Sequence, residues 1–452
     1  MSFLYSLILV YLFSISSSCV ESNLPLGAPR YIFVAPSGDD ANPGSFNKPL
    51  RSINKALQYA TAGDTILLRG GVYREQINFQ KSGLPERRIV LSNYRNERVI
   101  IDGNGLKIHE WDGLLNIKDQ TDITIHGLII QNSRELGVLV TSSEVGTNIT
   151  LSAVQVLHTK KAGFSIENIS NAVLEDCEAA YASNGSPGFY FYRCHNVIVS
   201  NCRAHQNGEP GGGLAQGFVF YEGSDFQVLN CESYENYRDG FDIGGGEIGT
   251  QNIHFKNCSS HENGEDGFGV NSYAVNITFE RCVAYHNKDN GFNIYEGVRN
   301  IRIYNCTIVG GSHYFWLDGS DNPALGLENI QIKNCIGFGS KNSGIVSIAP
   351  FKDIQFDYNC WYGDDNGYGT FCLWNMGSDE VPFNYQDIGP RGQWFSQLGH
   401  GSHSIFRDPL FVNSTGNDYR LQPTSPCIDQ GIDINLPFYG SAPDMGAFEF
   451  IP

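Results

Sequence analysis

Tyr237-Arg238-Asp239-Gly240-Phe241-Asp242-Ile243 is the most chemically loaded copy of a unit that recurs down the middle of the chain. In each copy an Asn or Asp opens an apolar/polar alternation. A Cys follows, then in most copies an Asn, then Gly-Phe and a short strand-like run. Copies open at Asn171, Asn196, Asp225, Asn252, Asn276, Asn300 and Asn329. Each carries a Cys six residues on: Cys177, Cys202, Cys231, Cys258, Cys282, Cys306 and Cys335. The Cys-to-Cys spacings are 25, 29, 27, 24, 24 and 29 residues. A near-constant period in this range predicts a solenoid, with each copy one coil on the last.

The alternation within a copy says which side chains face in. Five and three residues before the Cys stand apolar pairs such as Ile253/Phe255 and Ile277/Phe279, with polar residues such as His254 and Lys256 beside them. That is the period of a strand with one buried face. Asn207, Asn236, Asn263 and Asn287, five residues after the Cys, form a row suited to turns and to side-chain bonding along the stack. Phe164, Phe189, Phe218, Phe241, Phe268 and Phe292 predict an inward ring stack. The residue after each Phe then points outward, giving the row Ser165, Tyr190, Val219, Asp242, Gly269, Asn293 and, one coil later, Trp316. A second outward row, two residues further on, includes Tyr192, Tyr221, Asn271 and Tyr295.

The rest of the 452 residues is arranged around these coils. Residues 1–22 read as a signal peptide, with an apolar run over 3–13 that is too short to span a membrane. Cys19 follows small residues and offers a lipid-anchor site, although Ser16 stands where an aliphatic residue is usual. A secreted or cell-surface protein without a transmembrane segment is expected, working as a monomer. Residues 30–105 are read as an N-terminal cap with first strands and a helix over 49–60. Coils follow over 106–340, and C-terminal coils with an irregular cap over 341–452. The fold class is all-β, a parallel solenoid. The net charge of −18 argues against a nucleic-acid partner, and it repels an anionic glycan unless a cation intervenes. The seven periodic Cys are expected as a buried thiol ladder, since stacked strands hold them too far apart for disulfides. Cys194, Cys360, Cys372 and Cys427 are the better disulfide candidates.

Chemistry concentrates on the outward rows and the turn before them. Asp239, Asp242, Glu265, Asp266, Asp289, Asn290 and Asn293 are brought together if the copies stack. Carboxylates about 4.8 Å apart repel, so some must be protonated or bound to a cation. An oxygen-only set centred on Asp239, Asp242 and Asp266 suits Ca²⁺; the alternative is a solvated acidic face. Tyr190, Tyr192, Tyr221, Tyr295 and Trp316 flank these acids, and with Asn293 they suit the faces of a polysaccharide. The alternative is coverage by the Gly-rich loops over 209–216 and 243–251. His205, His261 and His286 are read as exposed turn residues.

These rows, with the entry segment Pro36-Ser37-Gly38-Asp39-Asp40 and Gly63-Asp64-Thr65, resemble secreted right-handed parallel β-helix proteins of the pectate-lyase type. The catalytic analogy is to the ninth polysaccharide lyase family. The resemblance implies Ca²⁺ held by an Asp-Asp-Gly-aromatic-Asp turn and an Asp one coil earlier, with a Lys one coil later as base. Asp239 and Asp242 match two of those ligands. Arg238 stands in place of the first Asp and Gln216 in place of the earlier one. Gly269 falls where the Lys is expected, and Asn293 holds that place one coil further. Arg238 and Lys288 are then the candidate bases. Three functions follow: Ca²⁺-assisted lyase action on an acidic glycan such as pectate, hydrolysis by paired carboxylates such as Asp242 and Asp266, or glycan binding without catalysis.

Overall fold

Left-handed backbone positions shape every coil. Asn171, Asn196, Asp225, Asn252, Asn276, Asn300 and Asn329 all have φ between 53° and 62°. Asn and Asp are the non-glycine residues that most readily adopt this conformation, because the short polar side chain bonds locally. This is why an Asn or Asp opens each copy. A second such position precedes the Cys (Asn201, Asn230, Asn257), and a third follows the next strand (Gln206, Glu235, Glu262). Three sharp corners fold each copy into a coil with three strand faces.

The computed structural model describes residues 28–209, 213–246, 248–319, 325–348, 351–363, 370–375 and 380–452. The signal-peptide reading and Cys19 lie outside these residues. The first face contains Phe189–Tyr192, Phe218–Tyr221, Phe241–Gly244, Phe268–Val270, Asn290–Ile294 and His313–Asp318, each paired in parallel with the next. The second face contains strands such as Gln251–Lys256 and Val275–Glu280, and the third such as Ser259–His261 and Val283–Tyr285. The third face is one 13-stranded sheet, and the other two join in a 26-stranded sheet. The result is a right-handed parallel β-helix.

Identical residues stack along the axis. Phe189, Phe218, Phe241 and Phe268 lie in register, with centroids 4.6, 4.9 and 5.0 Å apart and nearly parallel rings. The Gly before each Phe is required by packing, not by backbone angle. A Cβ on Gly240 would lie 1.9 Å from Ser260 Oγ and 2.8 Å from the carbonyl oxygen of Gly267 on the next coil. The Asn row is buried, and Nδ2 of Asn207, Asn236 and Asn263 donates to Oδ1 of the next Asn over 2.9, 3.0 and 2.9 Å. An exposed ladder through Asp225, Asn252, Asn276, Asn300 and Asn329 runs parallel to it.

The expected thiol ladder is present, and each thiol points at a main-chain carbonyl, as Cys231 does to Val199 and Cys258 to Val228. The disulfide expectation is corrected. All eleven described cysteines are free and buried. Cys194 is satisfied by the Ile166 carbonyl and Cys360 by that of Arg407, both at 3.2 Å.

Both ends are covered. The expected N-terminal helix is shorter than 49–60 and spans Ile53–Tyr59, with Ile53, Ala56 and Leu57 buried. Leu50 pairs with Val34 instead, and the Asp40 carboxylate takes the N–H groups of Arg51 and Ser52. At the other end stand the antiparallel pair Thr370–Asn375 with Glu380–Asn384 and the helix Gln393–Leu398, whose Trp394 is fully buried. The last forty or so residues lie along the third face. There Ala447 N donates to Thr307 Oγ1, and Ile432 N to Asn334 Oδ1, each over 2.9 Å.

Candidate functional site

Because the first-face strands are in register, residues at one offset from the inward Phe form columns. Two residues before it stand Gln216, Asp239, Asp266, Asn290 and His313; one after it stand Val219, Asp242, Gly269, Asn293 and Trp316. The carboxylates are thereby neighbours on consecutive coils, and hydrogen bonds fix each of them. Asp239 Oδ1 accepts the N–H of Asp266 over 2.9 Å. Asp242 accepts from Gln216 Nε2 over 3.0 Å and from Asn271 Nδ2. Asp266 accepts from Asn290 Nδ2 over 2.7 Å and Asn293 Nδ2 over 2.6 Å.

The electrostatic cost of this cluster is high. Burial, then the charges of Asp242 and Asp266, push Asp239 well above the usual carboxylate range. Burial pushes Asp242 up to about 6, although the Asn271 bond and the Arg238 charge act against it. Asp266 is also raised by burial despite its amide donors. Three oxygens beside these acids are buried without a hydrogen-bond partner: Gln216 Oε1, Asn290 Oδ1 and Asn293 Oδ1. An orphaned buried carbonyl oxygen costs about 1–3 kcal/mol.

Asp239, Asp242 and Asp266, the acids expected to hold Ca²⁺, lie on two adjacent coils of the first face. Among the described residues no three His, Cys, Asp or Glu side chains form a metal-holding group. Amide N–H groups engage both Asp242 and Asp266. The donor chemistry nevertheless fits a hard cation. Asp239 Oδ2 and the three unpartnered amide oxygens are the atoms that would face it.

The candidate bases are separated by their surroundings. Arg238 Nε donates to Glu265 over 2.8 Å, and its NH1 to the Gly213 carbonyl over 3.0 Å. Burial draws the guanidinium down, but Glu265 more than offsets it and leaves Arg238 above its ordinary value. Arg238 is therefore a firmly held cation. Lys288 is exposed on a turn. Gly269, in the place of the expected lysine, leaves a gap: a Cβ there would sit 3.4 Å from Asp239 Oδ2.

The aromatic residues divide. A groove of about 460 Å³ is lined by Tyr221, Asp242 and Tyr273. Another of about 510 Å³ is lined by Asp266, Asn293, Tyr295, His313 and Trp316. The acids thus sit between Tyr221 on one side and Tyr295 and Trp316 on the other. Tyr192 lies next to Tyr221, with centroids 6.0 Å apart. Tyr190 packs on Leu136, Leu139 and Ala162, so part of its ring is structural. The backbone at Gly245 packs on the Tyr221 ring, where a Cβ would lie 2.6 Å away, yet Tyr221 stays exposed.

The histidine reading is corrected in two places. His205 and His261 are buried in a column with Tyr234 and Tyr285, stacked at 4.7, 5.1 and 4.4 Å. His286 is exposed as expected. One groove histidine is not among the residues that the sequence reading singles out. His313 lines the groove, and its Nδ1 lies 2.8 Å from the Ser343 carbonyl oxygen and 3.0 Å from Ser343 Oγ, which can also accept. A carbonyl only accepts, so Nδ1 carries the proton and Nε2 keeps its lone pair. Burial holds this imidazole below its ordinary value. The offset of two before the ring position signals His313, but Tyr314 replaces the Gly of Gly-Phe and hides the copy.

The fold and this groove define a parallel β-helix protein with an acidic, aromatic-flanked outward strip. Residues 32–267, more than half of the chain, match the Pel9A-like right-handed β-helix region, and the chain belongs to that family. It is 38% identical over 124 residues to the uncharacterized protein YwoF of Bacillus subtilis, covering 27% of this chain and 25% of that one. It is 48% identical over 77 residues to pectate lyase PEL9 of Emericella nidulans, covering 17% of this chain and 19% of that one. The matched stretches thus span a quarter or less of those two relatives. The crystal structure of pectate lyase Pel9A is similar over 94% of this chain and 97% of its own, with a TM-score of 0.56 and 20% identity.

Proposed function

We propose that this is a secreted protein that cleaves an acidic polysaccharide such as pectate by β-elimination, assisted by Ca²⁺. The observation that carries the reading is the set of unpartnered oxygens of Gln216, Asn290 and Asn293 around the mutually repelling Asp239, Asp242 and Asp266. Such a site is completed by a cation. Bound there, Ca²⁺ would neutralise the uronate carboxylate and so acidify the proton on C5. Asp239 Oδ2 and the amide oxygens would hold it, and Arg238 would balance the remaining acid charge. His313 Nε2 would offer a lone pair in the groove to accept the C5 proton, since Gly269 stands where the lysine is expected. As the C5 proton leaves, its electron pair forms the C4–C5 double bond and the glycosidic oxygen departs from C4. Tyr221, Tyr295 and Trp316 would seat the flanking sugars. Membership of the Pel9A-like family and the partial likeness to pectate lyase PEL9 support this reading.

A second reading rests on Asp242. A carboxyl group with a pKa of about 6 beside a second acid suits the general acid of a glycoside hydrolase. Incubation with polygalacturonate and with neutral glycans, with and without Ca²⁺, separates the readings. Unsaturated chain ends that need Ca²⁺ are expected. Saturated new reducing ends would assign the hydrolase, and binding without cleavage would overturn both.

A further inference from the structure

We infer that the groove formed by Lys107, Arg134, Lys160 and Lys161 is a second carbohydrate subsite, which takes carboxylates of an acidic glycan lying along the strip. The inference rests on the acidic-glycan reading above. The groove has a volume of about 430 Å³, and Leu106 and Ile108 also line it. On a chain of net charge −18, four cations lining one groove is a concentration against the trend.

Glu135 also lines the groove, and with Glu110 it offsets part of that positive charge. Lys161 lies 2.7 Å from Glu135 and 3.8 Å from Glu110. Lys107, Arg134 and Lys160 are exposed, and among the described residues their side chains have no hydrogen bond or ion pair. Trp111 is 65% exposed, with Lys161 Nζ 3.4 Å from its ring centroid and its main-chain N–H held by Glu135 over 3.0 Å. An exposed indole at a cation-lined groove offers a sugar face and a carboxylate partner together.

Its position ties it to the strip. Lys161 precedes Phe164 by three residues, as Arg238 precedes Phe241. Phe164, Phe189, Phe218 and Phe241 are register partners on consecutive coils. The groove therefore lies on the same edge of the first face, three coils from Arg238, or about 14 Å at the strand spacing. Tyr190 and Tyr192 stand on the coil after Lys161. A glycan of a few residues crosses that distance. Its carboxylates would be drawn to the basic end and would meet the repelling acids only where a cation compensates them.

The test is a triple variant, Lys107→Ala, Arg134→Ala and Lys160→Ala, whose sites are all exposed. Binding of long and of dimeric oligogalacturonate is measured by calorimetry at low and high salt. For the long ligand the Kd is expected to rise about tenfold at low salt, as three exposed charge contacts would give, and the difference is expected to vanish at high salt. Dimer binding and cleavage at the acid cluster are expected to stay unchanged. Wild-type affinity for the long ligand in the triple variant would overturn the groove and leave the acidic-glycan reading intact. A wild type that binds no oligogalacturonate of any length would overturn both.

Discussion

The main-chain N–H of Asp266 donates to Oδ1 of Asp239 over 2.9 Å. One coil of the solenoid is thereby tied to the carboxylate of the one before, and Asp239 Oδ2 is left facing the gap over Gly269. The hydrogen bond that helps hold the stack also aims the acid.

The same coupling of fold to side chain makes the buried Asn row a stability test. Asn236 accepts from Asn207 and donates to Asn263, Ser233 and the Ala204 carbonyl. Asn236→Ala should cost about 2–4 kcal/mol, because it orphans neighbours in a buried chain of bonds. Asn236→Asp is nearly isosteric but puts an acceptor against Asn263 Oδ1, and it should cost more. Urea denaturation followed by circular dichroism checks the order; equal stability of wild type and Asn236→Asp would contradict it.

The acid cluster predicts a pH dependence. Asp242 sits at about 6 in the folded state, above the ordinary 3.8. The folded chain therefore holds this proton more tightly than the unfolded chain. That contribution to stability is complete below about pH 4 and is lost as pH rises through about 6. Asp242→Asn removes the penalty, and Gln216 can turn its unpartnered oxygen toward the new amide. The variant should exceed wild type by about 1–3 kcal/mol at pH 8 and match it near pH 4. Added Ca²⁺ should raise the wild-type melting temperature at pH 8, and the rise should fade below pH 6 as protons compete. A calcium effect equal in wild type and Asp239→Asn would refute the site.

His313 is expected to act on turnover and not on affinity. His313→Gln should lower kcat by about 10²–10⁴-fold with little change in KM. Gly269→Lys is sterically open, since the new Cβ meets Asp239 Oδ2 at 3.4 Å and the backbone is not left-handed. In the His313→Gln background it should restore part of the lost kcat. A fall in affinity with kcat intact would assign His313 to substrate binding instead.

Much of the architecture was legible in the sequence because period two and the copy length leave few arrangements. The Cys, Asn and Phe rows each name an inward column, and the outward rows follow by parity. Registers such as Asp242 to Gly269 and Asn293 to Trp316 were readable in this way. What was not legible depends on side-chain direction within a turn. His205 and His261 share one offset from their Cys with Tyr234 and Tyr285, a signal for a stacked column that a turn reading overlooks. The amide bonds to Asp242 and Asp266 orient the acids, and no residue spacing encodes them. The path of the last residues along the third face is likewise set by long-range contacts such as Asn305 to the Asp444 carbonyl.

The most direct test compares wild type with Asp239→Asn in the release of unsaturated ends from polygalacturonate with Ca²⁺ present. The substitution keeps an oxygen for the Asp266 N–H and removes only the charge that faces the gap. Wild type should release unsaturated ends. The variant should melt at the same or a higher temperature and release them at least about a hundredfold more slowly. Equal release by the two proteins, or none by wild type, would contradict the account.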